Sequence, residues 1–340
     1  MNDQNKIKIG LMGFGRIGRD FYRLAQERDD LDIVVISDLG NPEILHYLLQ
    51  VDGIEDDVVL EGNYFVSPVM RSRMISAVEP KDVPWDVFNV DVVVDATHRY
   101  VSREQMEAYI SSGAPRVIIS ALPRDDIDRI VVMGVNDKEI SQDDRLISGG
   151  SSTTQALALL LQILDKKFGV EKAQMTTVHA YTSDQLLQDT VGRDFRRSRS
   201  AAENIIPNDT PSPYWVGELI PHLKGKLDGL ALNVPVPRGS CLDLTTLVNQ
   251  DGVTIDDINT AVREAAAEYP QWVGVTDDPI VSSDVLGSTL SLLFDIKATM
   301  KSSKRMAKTL CWYDNGLGHA ARILDIVLAY GKLDGKGGAQ

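Results

Sequence analysis

Short, continuous apolar runs alternate with longer stretches of helical period through the first half of this chain. IKIGLMG (7–13), DIVVISD (32–38), DVVVDAT (91–97), PRVIIS (115–120) and RIVVMGV (129–135) read as strands. Val/Ile runs without polar alternation suit strands buried on both faces of a parallel sheet. GRDFYRLAQERDD (18–30) and SREQMEAYISSGA (102–114) supply the crossover helices. The pattern predicts a doubly wound, Rossmann-type α/β domain. Beyond residue 151 the texture changes. TTQALALLLQILDKKFG (153–169) predicts a helix that leads into strand-like QMTTVHAYTS, GLALNVPVP and CLDLTTLV. That order suits an α+β domain with a more antiparallel sheet. No repeat is visible, and DGKGGAQ (334–340) reads as a disordered tail.

Composition narrows the classes. The 340 residues are 43% hydrophobic and 25% charged, enough for two domain cores. The formal charge of −14 argues against a polyanion-binding surface and hence against nucleic acid as a partner. The basic run RDFRRSR (193–199) reads as a solvated face. MNDQNKIKIGLMGFG carries neither a signal h-region nor an apolar span, so no membrane role and a cytoplasmic location are expected. Cys241 and Cys311 are too few for a disulfide framework and lack metal-ligand spacing, so they read as buried thiols and no metal is expected.

Chemistry enters with GFGRIG. Gly13, Gly15 and Gly18 follow a predicted strand and open a predicted helix, with Arg16 and Ile17 between them, and Asp38 ends the next strand. Glycines let the backbone approach a pyrophosphate at a positive helix N-terminus, while the carboxylate accepts from the adenosine ribose. A merely tight turn is the plainer alternative, and the acidic residue at that spacing disfavours it. Asp38 favours NAD over NADP, because its charge repels a 2′-phosphate.

A second constellation combines SSTT (151–154) with His179 in TTVHAYT. A hydroxyl at a strand-to-helix turn can act as a nucleophile, with a distant histidine as its base. Equally, Ser152 and Thr153 can simply cap the helix.

The blocks KIGLMGFGRIGR, SREQMEAYISSGAPRVIISA, SGGSSTTQ, TTVHAYTSDQ, RRSRSAAENIIP, GKLDGLALNVPVP and WYDN together make the chain resemble the phosphorylating glyceraldehyde-3-phosphate dehydrogenase family, from near residue 6 to near residue 330. The resemblance implies an NAD-binding domain of residues 1–151 and 318–340, a catalytic domain of residues 152–317, a final helix RILDIVLAYGK and a homotetramer.

Residue by residue, the resemblance implies mixed roles. Ser152 stands where the family has its nucleophilic cysteine, Gln155 where it has asparagine, and His179 matches the catalytic base. Ser151, Thr153, Arg197 and Thr210 match an inorganic-phosphate pocket; Thr182 and Asp184 belong beside the substrate's own phosphate. Asn233 replaces the arginine expected to clamp that phosphate. On the cofactor side Gly13, Gly15, Gly18, Asp38, Ser120 and Asn315 match, Asn315 at the nicotinamide carboxamide. His98 in DATH takes a glycine position, and His319 takes that of an aromatic ring near the nicotinamide.

A serine hydroxyl is a far weaker nucleophile than a cysteine thiol, which ionises near about 8.5. Asparagine supplies neither the charge nor the fork of arginine. Ordinary phosphorylating turnover is therefore expected to be lost or very weak. Three readings stay open: an NAD-dependent oxidoreductase acting on an altered small, anionic aldehyde, a catalytically silent NAD-binding regulatory or assembly protein, and a family enzyme carrying an engineered Cys-to-Ser change.

Overall fold

A computed structural model describes residues 5–53 and 57–337 of the chain. The chain divides into two compact units, Met1–Gly150 with Ala320–Gln340, and Ser151–His319.

The first unit contains β1 (Ile7–Met12), α1 (Arg16–Gln26), β2 (Leu31–Ser37), α2 (Pro42–Val51), β3 (Val59–Glu61), β4 (Tyr64–Val66), β5 (Arg71–Ile75), β6 (Val92–Asp95), α3 (Arg103–Ser111), β7 (Val117–Ile119), β8 (Arg129–Ile130) and β9 (Leu146–Ser148). Its sheet runs β3-β4-β5-β2-β1-β6-β7-β9-β8. From β5 through β8 every pairing is parallel, as a doubly wound fold requires. Strand order reverses between β1 and β6, so their carboxyl ends form the crevice where such sheets bind ligands. Val93, Val117, Trp85, Met106 and Tyr109 fill one continuous apolar cluster.

RIVVMGV is a strand only over Arg129–Ile130. Buried Asn136 explains why: its side chain accepts from Val132 N at 2.8 Å and donates to Ile130 O at 2.8 Å, curling the run out of the sheet. β9, which apolar periodicity did not announce, inserts between β7 and β8.

The second unit contains α4 (Ser152–Phe168), β10 (Val170–Ala180), β11 (Ile206–Asn208), α5 (Ser212–Leu219), β12 (Leu227–Val234), β13 (Ser240–Val248), α6 (Ile255–Glu268), β14 (Val273–Thr276), β15 (Leu292–Asp295), β16 (Met300–Lys301) and β17 (Met306–Tyr313). The sheet order is β11-β12-β10-β13-β17-β15-β14, with β16 on β17. β13 pairs antiparallel with both β10 and β17, while β10 and β12 run parallel. α4 is apolar nearly all round from Ala156 to Leu161 and packs against α5, α6 and the sheet. Each leucine buried there contributes about 1.5–3 kcal/mol. Gly169, at φ +64°, ends the helix in the left-handed region that a side chain would disfavour.

The last helix, α7 (Leu317–Leu333), belongs to the first unit from Ala320 onward. Tyr330 donates to Asp144 at 2.7 Å, and Arg116 pairs with Asp334 at 2.5 Å. The expected tail is held as far as Gly337: Lys336 pairs with Asp91 at 2.6 Å and Gly337 N donates to Asn5 O at 2.9 Å. The remainder of DGKGGAQ lies outside the described residues. Among the described residues no helix is long and apolar enough to cross a membrane.

Candidate active site

In the first unit, GFGRIG forms the turn from β1 into α1. Gly13 sits at φ +91°, and a Cβ there would lie 2.8 Å from the Thr97 methyl. A Cβ on Gly18 would lie 2.1 Å from the Gly13 carbonyl oxygen, so helix and strand approach only without it. A Cβ on Gly15 would meet nothing within 4 Å, leaving the N-cap backbone open. α1 begins at Arg16 and Ile17 with no side-chain cap and no acidic residue in its first turn. Its N-terminal N–H groups and dipole thus favour an anion. Asp38 follows β2, its carboxylate accepting from Phe14 N at 2.6 Å and Gly40 N at 2.7 Å. The carboxylate is fixed beside the glycine turn, and these groups fit a dinucleotide.

The segment DATH closes the other side of the crevice. Asp95 accepts from the amide and the hydroxyl of Thr97, both at 2.6 Å, and from Tyr109 at 2.8 Å. Burial raises its carboxyl above the usual range against these opposing hydrogen bonds. The tight turn carries His98 at φ +58°, a conformation costly for most side chains. Ser120 is buried beyond β7, its amide donating to Asp95 O at 2.9 Å.

In the second unit, Ser151 is the cap of α4: its hydroxyl accepts from Thr154 N at 3.1 Å. The capping reading of Ser152 and Thr153 therefore gives way. Thr153 turns inward to the Tyr313 hydroxyl at 2.9 Å. Ser152, first residue of the helix and half-buried, lines a shallow, open depression together with Gln155, Ser291, Tyr313, Asp314 and His319.

His179 lies near the end of β10. Its Nδ1 is 2.6 Å from Ala180 O, which makes Nδ1 the proton-bearing nitrogen and leaves Nε2 as the basic one. Burial pushes the imidazole below its ordinary value, opposed by the Ala180 hydrogen bond and the charge of Asp184. No hydrogen bond joins Ser152 to His179. Tyr313 connects their surroundings instead: its hydroxyl meets Thr153 and, at 2.6 Å, Thr177, and its ring centre is 6.2 Å from that of His179.

The remaining residues fall into three groups. Ser151 and Thr210 are joined by a run of hydroxyls through Thr154 and Ser212, in steps of 2.9, 3.0 and 3.2 Å. Thr182 donates to Asp184, which pairs with Arg197 at 2.6 Å; Arg197 Nε also donates to Asn208 at 3.0 Å. Asn208 in turn donates to buried Asn233 at 3.3 Å, and Asn233 stands opposite His179 in the β10/β12 register. Asn315 Oδ1 accepts from Gly239 N and the Ser240 hydroxyl, both at 3.2 Å. The cysteines offer no substitute nucleophile, since burial raises the Cys241 thiol to about 11 and that of Cys311 well above its ordinary value.

Tyr313 and Asn208 are connecting residues that sequence reasoning passed over. Tyr313 lies inside WYDN and Asn208 just after RRSRSAAENIIP, but neither carries a charge or a periodic signal that marks it out.

The comparisons with known proteins fall on the same elements. Residues 7–103 match the glyceraldehyde 3-phosphate dehydrogenase NAD binding domain, and residues 151–315 match the glyceraldehyde 3-phosphate dehydrogenase C-terminal domain. Glyceraldehyde-3-phosphate dehydrogenase 2 of Streptomyces avermitilis is 39% identical over 332 residues, covering 96% of this chain and 98% of that protein. Glyceraldehyde-3-phosphate dehydrogenase of Mycolicibacterium smegmatis is 42% identical over 343 residues, covering 96% and 99%. Glyceraldehyde-3-phosphate dehydrogenase 1 of Bacillus subtilis is 37% identical over 326 residues, covering 94% and 97%. NAD is the cofactor of the nucleotide-binding unit. With full-length similarity of this order and both domain models matched, the chain belongs to the glyceraldehyde-3-phosphate dehydrogenase family.

Proposed function

We propose that this protein is an NAD-dependent oxidoreductase acting on a small aldehyde, in which Ser152 replaces the family thiol and ordinary phosphorylating turnover is lost or very weak. The observation that carries the reading is Ser152 itself. It is half-buried at the first turn of α4, relieved of capping by Ser151, and it faces a shallow depression that His319 also lines.

NAD, when bound, accepts the hydride. His179, held as the Nδ1–H tautomer by Ala180 O, has Nε2 available to take a proton from the hydroxyl of Ser152 or of the hydrated aldehyde. Ser152 orients the carbonyl, or adds to it reversibly by forming an Oγ–C bond. The N-terminal dipole of α4 favours the oxyanion that results. Gly13, Gly15, Gly18 and the first turn at Arg16 and Ile17 hold the pyrophosphate, Asp38 holds the adenosine ribose, and Ser120 completes the cofactor site of the first unit. Ser151, Thr153 and Thr210 bind an anion at the α4 turn. By its family the protein works in the cytoplasm as a homotetramer, a state that light scattering on the purified chain checks.

A silent NAD-binding protein is the second reading, favoured by Ser152, Asn233 and His98 occurring together. NADH formation from glyceraldehyde-3-phosphate, NAD and phosphate, compared between the chain and its Ser152→Cys variant, tests the proposal. Recovery of substantial turnover by the thiol supports it. Fast phosphorylating turnover by the unaltered chain sinks it. If both are inactive and a panel of small aldehydes yields no NADH, the silent reading replaces it.

A further inference from the structure

Two reactive side chains of the second unit share the depression beside α4: Ser152 from the first turn of α4 and His319 from the first turn of α7. We infer that His319 is the proton acceptor for the Ser152 hydroxyl, which makes Ser152 a nucleophile that works without His179. The inference deepens the oxidoreductase reading, which supplies the aldehyde, and leaves to His179 the proton of the hydrated aldehyde.

The hydroxyl is available for this role. Capping of α4 falls to Ser151, whose side chain accepts from Thr154 N at 3.1 Å. Among the described residues no group takes up the half-buried Ser152 hydroxyl in a hydrogen bond.

Of the side chains that line the depression, one is an available base. Asp314 braces the start of α7: its Oδ1 accepts from Gly316 N at 2.8 Å and Leu317 N at 3.1 Å, and its Oδ2 from Gly287 N at 3.0 Å. Tyr313 shares its hydroxyl between Thr153 and Thr177, and burial raises its pKa and keeps it protonated. The amide of Gln155 and the hydroxyl of Ser291 have no basicity near neutral pH. The imidazole of His319 remains, the side chain type best suited to take a proton there. His179 does not line the depression, and its Nδ1 is turned to Ala180 O.

Packing fixes the turn that carries His319. Gly318 N donates to Asp314 O at 3.1 Å, and a Cβ on Gly318 would lie 2.8 Å from Leu290 O, so α7 presses closely on the segment leading to Ser291. His319 itself is 4% exposed. Catalytic hydrogen bonds are often long in an unliganded site and tighten when the reacting group binds. At an aldehyde the Ser152 Oγ–C bond forms, the carbonyl π pair moves to its oxygen, and the hydroxyl proton passes to His319. The dipole of α4 favours the oxyanion.

The test uses the full chain with no aldehyde present and the probe diisopropyl fluorophosphate, read by intact mass and peptide mapping. The Ser152 Oγ–P bond forms, the P–F bond breaks, fluoride leaves, and the proton passes to His319. The expected result is a label on Ser152 that forms about 10²–10⁴-fold more slowly in His319→Gln. His319→Ala is equally slow and recovers when free imidazole is added, which a merely structural role for the ring would not allow. His179→Gln, which the oxidoreductase reading expects to lose turnover, keeps its labelling rate. No label on Ser152 of the unaltered chain overturns the inference. So does undiminished labelling in a normally melting His319→Gln, or labelling of His319→Ala that imidazole fails to restore. If neither His319 variant folds, His179→Gln decides: retained labelling supports the inference and lost labelling overturns it. Normal labelling without NADH from any aldehyde counts against the oxidoreductase reading alone.

Discussion

Arg197 Nη1 and Asp184 Oδ2 lie 2.6 Å apart, so residues that family resemblance assigns to two separate anion pockets form a single ion pair. Burial alone would raise the Asp184 carboxyl, but the Thr182 hydrogen bond and the charge of Arg197 hold it below the usual range. A carboxylate depressed in the folded state contributes stability above its unfolded pKa, and that contribution fades as pH falls through the folded value. Melting temperature of the unaltered chain should therefore fall more steeply on acidification below about pH 4 than that of Asp184→Asn. Parallel acid limbs would remove the pair from the stability balance.

His179 carries the opposite charge type and the same directional consequence. Because burial pushes its pKa down, the folded protein binds a proton less readily than the unfolded chain, and stability is lost as pH falls below about 6.5. As a general base it is active when neutral, so turnover rises with pH through a value below about 6.5 and levels off near neutrality. His179→Ala should lower turnover by about 10²–10⁴-fold and abolish that limb. A pH–rate profile on any accepted aldehyde checks both, and an unaltered rate in the variant removes His179 from the mechanism.

Tyr313 holds the start of α4 to β10 by one oxygen shared between Thr153 and Thr177. Removing that oxygen in Tyr313→Phe leaves two buried hydroxyls without it, at a cost of about 1–3 kcal/mol in urea unfolding. The same change should loosen the Ser152 turn and lower kcat more than it raises KM. An equal loss in both would mean that Tyr313 is merely structural.

The glycine turn separates packing from binding. Gly18→Ala places a Cβ 2.1 Å from a backbone oxygen and should destabilise the protein by about 1–3 kcal/mol as well as weaken NAD binding. Gly15→Ala meets nothing within 4 Å, so its melting temperature should match that of the unaltered chain while NAD affinity falls. Calorimetry with NAD beside thermal melts distinguishes the two, and unchanged NAD affinity in Gly15→Ala would place the pyrophosphate elsewhere.

Sequence pattern revealed most of what local physics controls. β1, β2, β6, α1, α3 and α4 are visible because each has a long apolar run or a strong helical period, and GFGRIG with Asp38 is legible because Gly13 and Gly18 are forced by close approach. RIVVMGV misleads because one buried side chain, Asn136, overrides β propensity within a few residues. Strand β9 is too short for a period to register. At the site, Ser152 and His179 stand out as reactive types, whereas the links between them do not. Tyr313, Asn208 and Ser212 act through single hydrogen bonds between segments far apart in sequence, and no spacing encodes these.

Part of the first unit is made only after the whole of the second. Ile7 of β1 packs under Gly331, Asp144 receives the Tyr330 hydroxyl, and Arg116 awaits Asp334, all contacts closed by α7. A ribosome thus releases β1 long before the helix that covers it exists, and the nascent nucleotide-binding sheet must wait through the whole second unit with an apolar surface uncovered. Final assembly of the first unit therefore follows synthesis of the second, and nucleotide capture can begin only after α7 has been made.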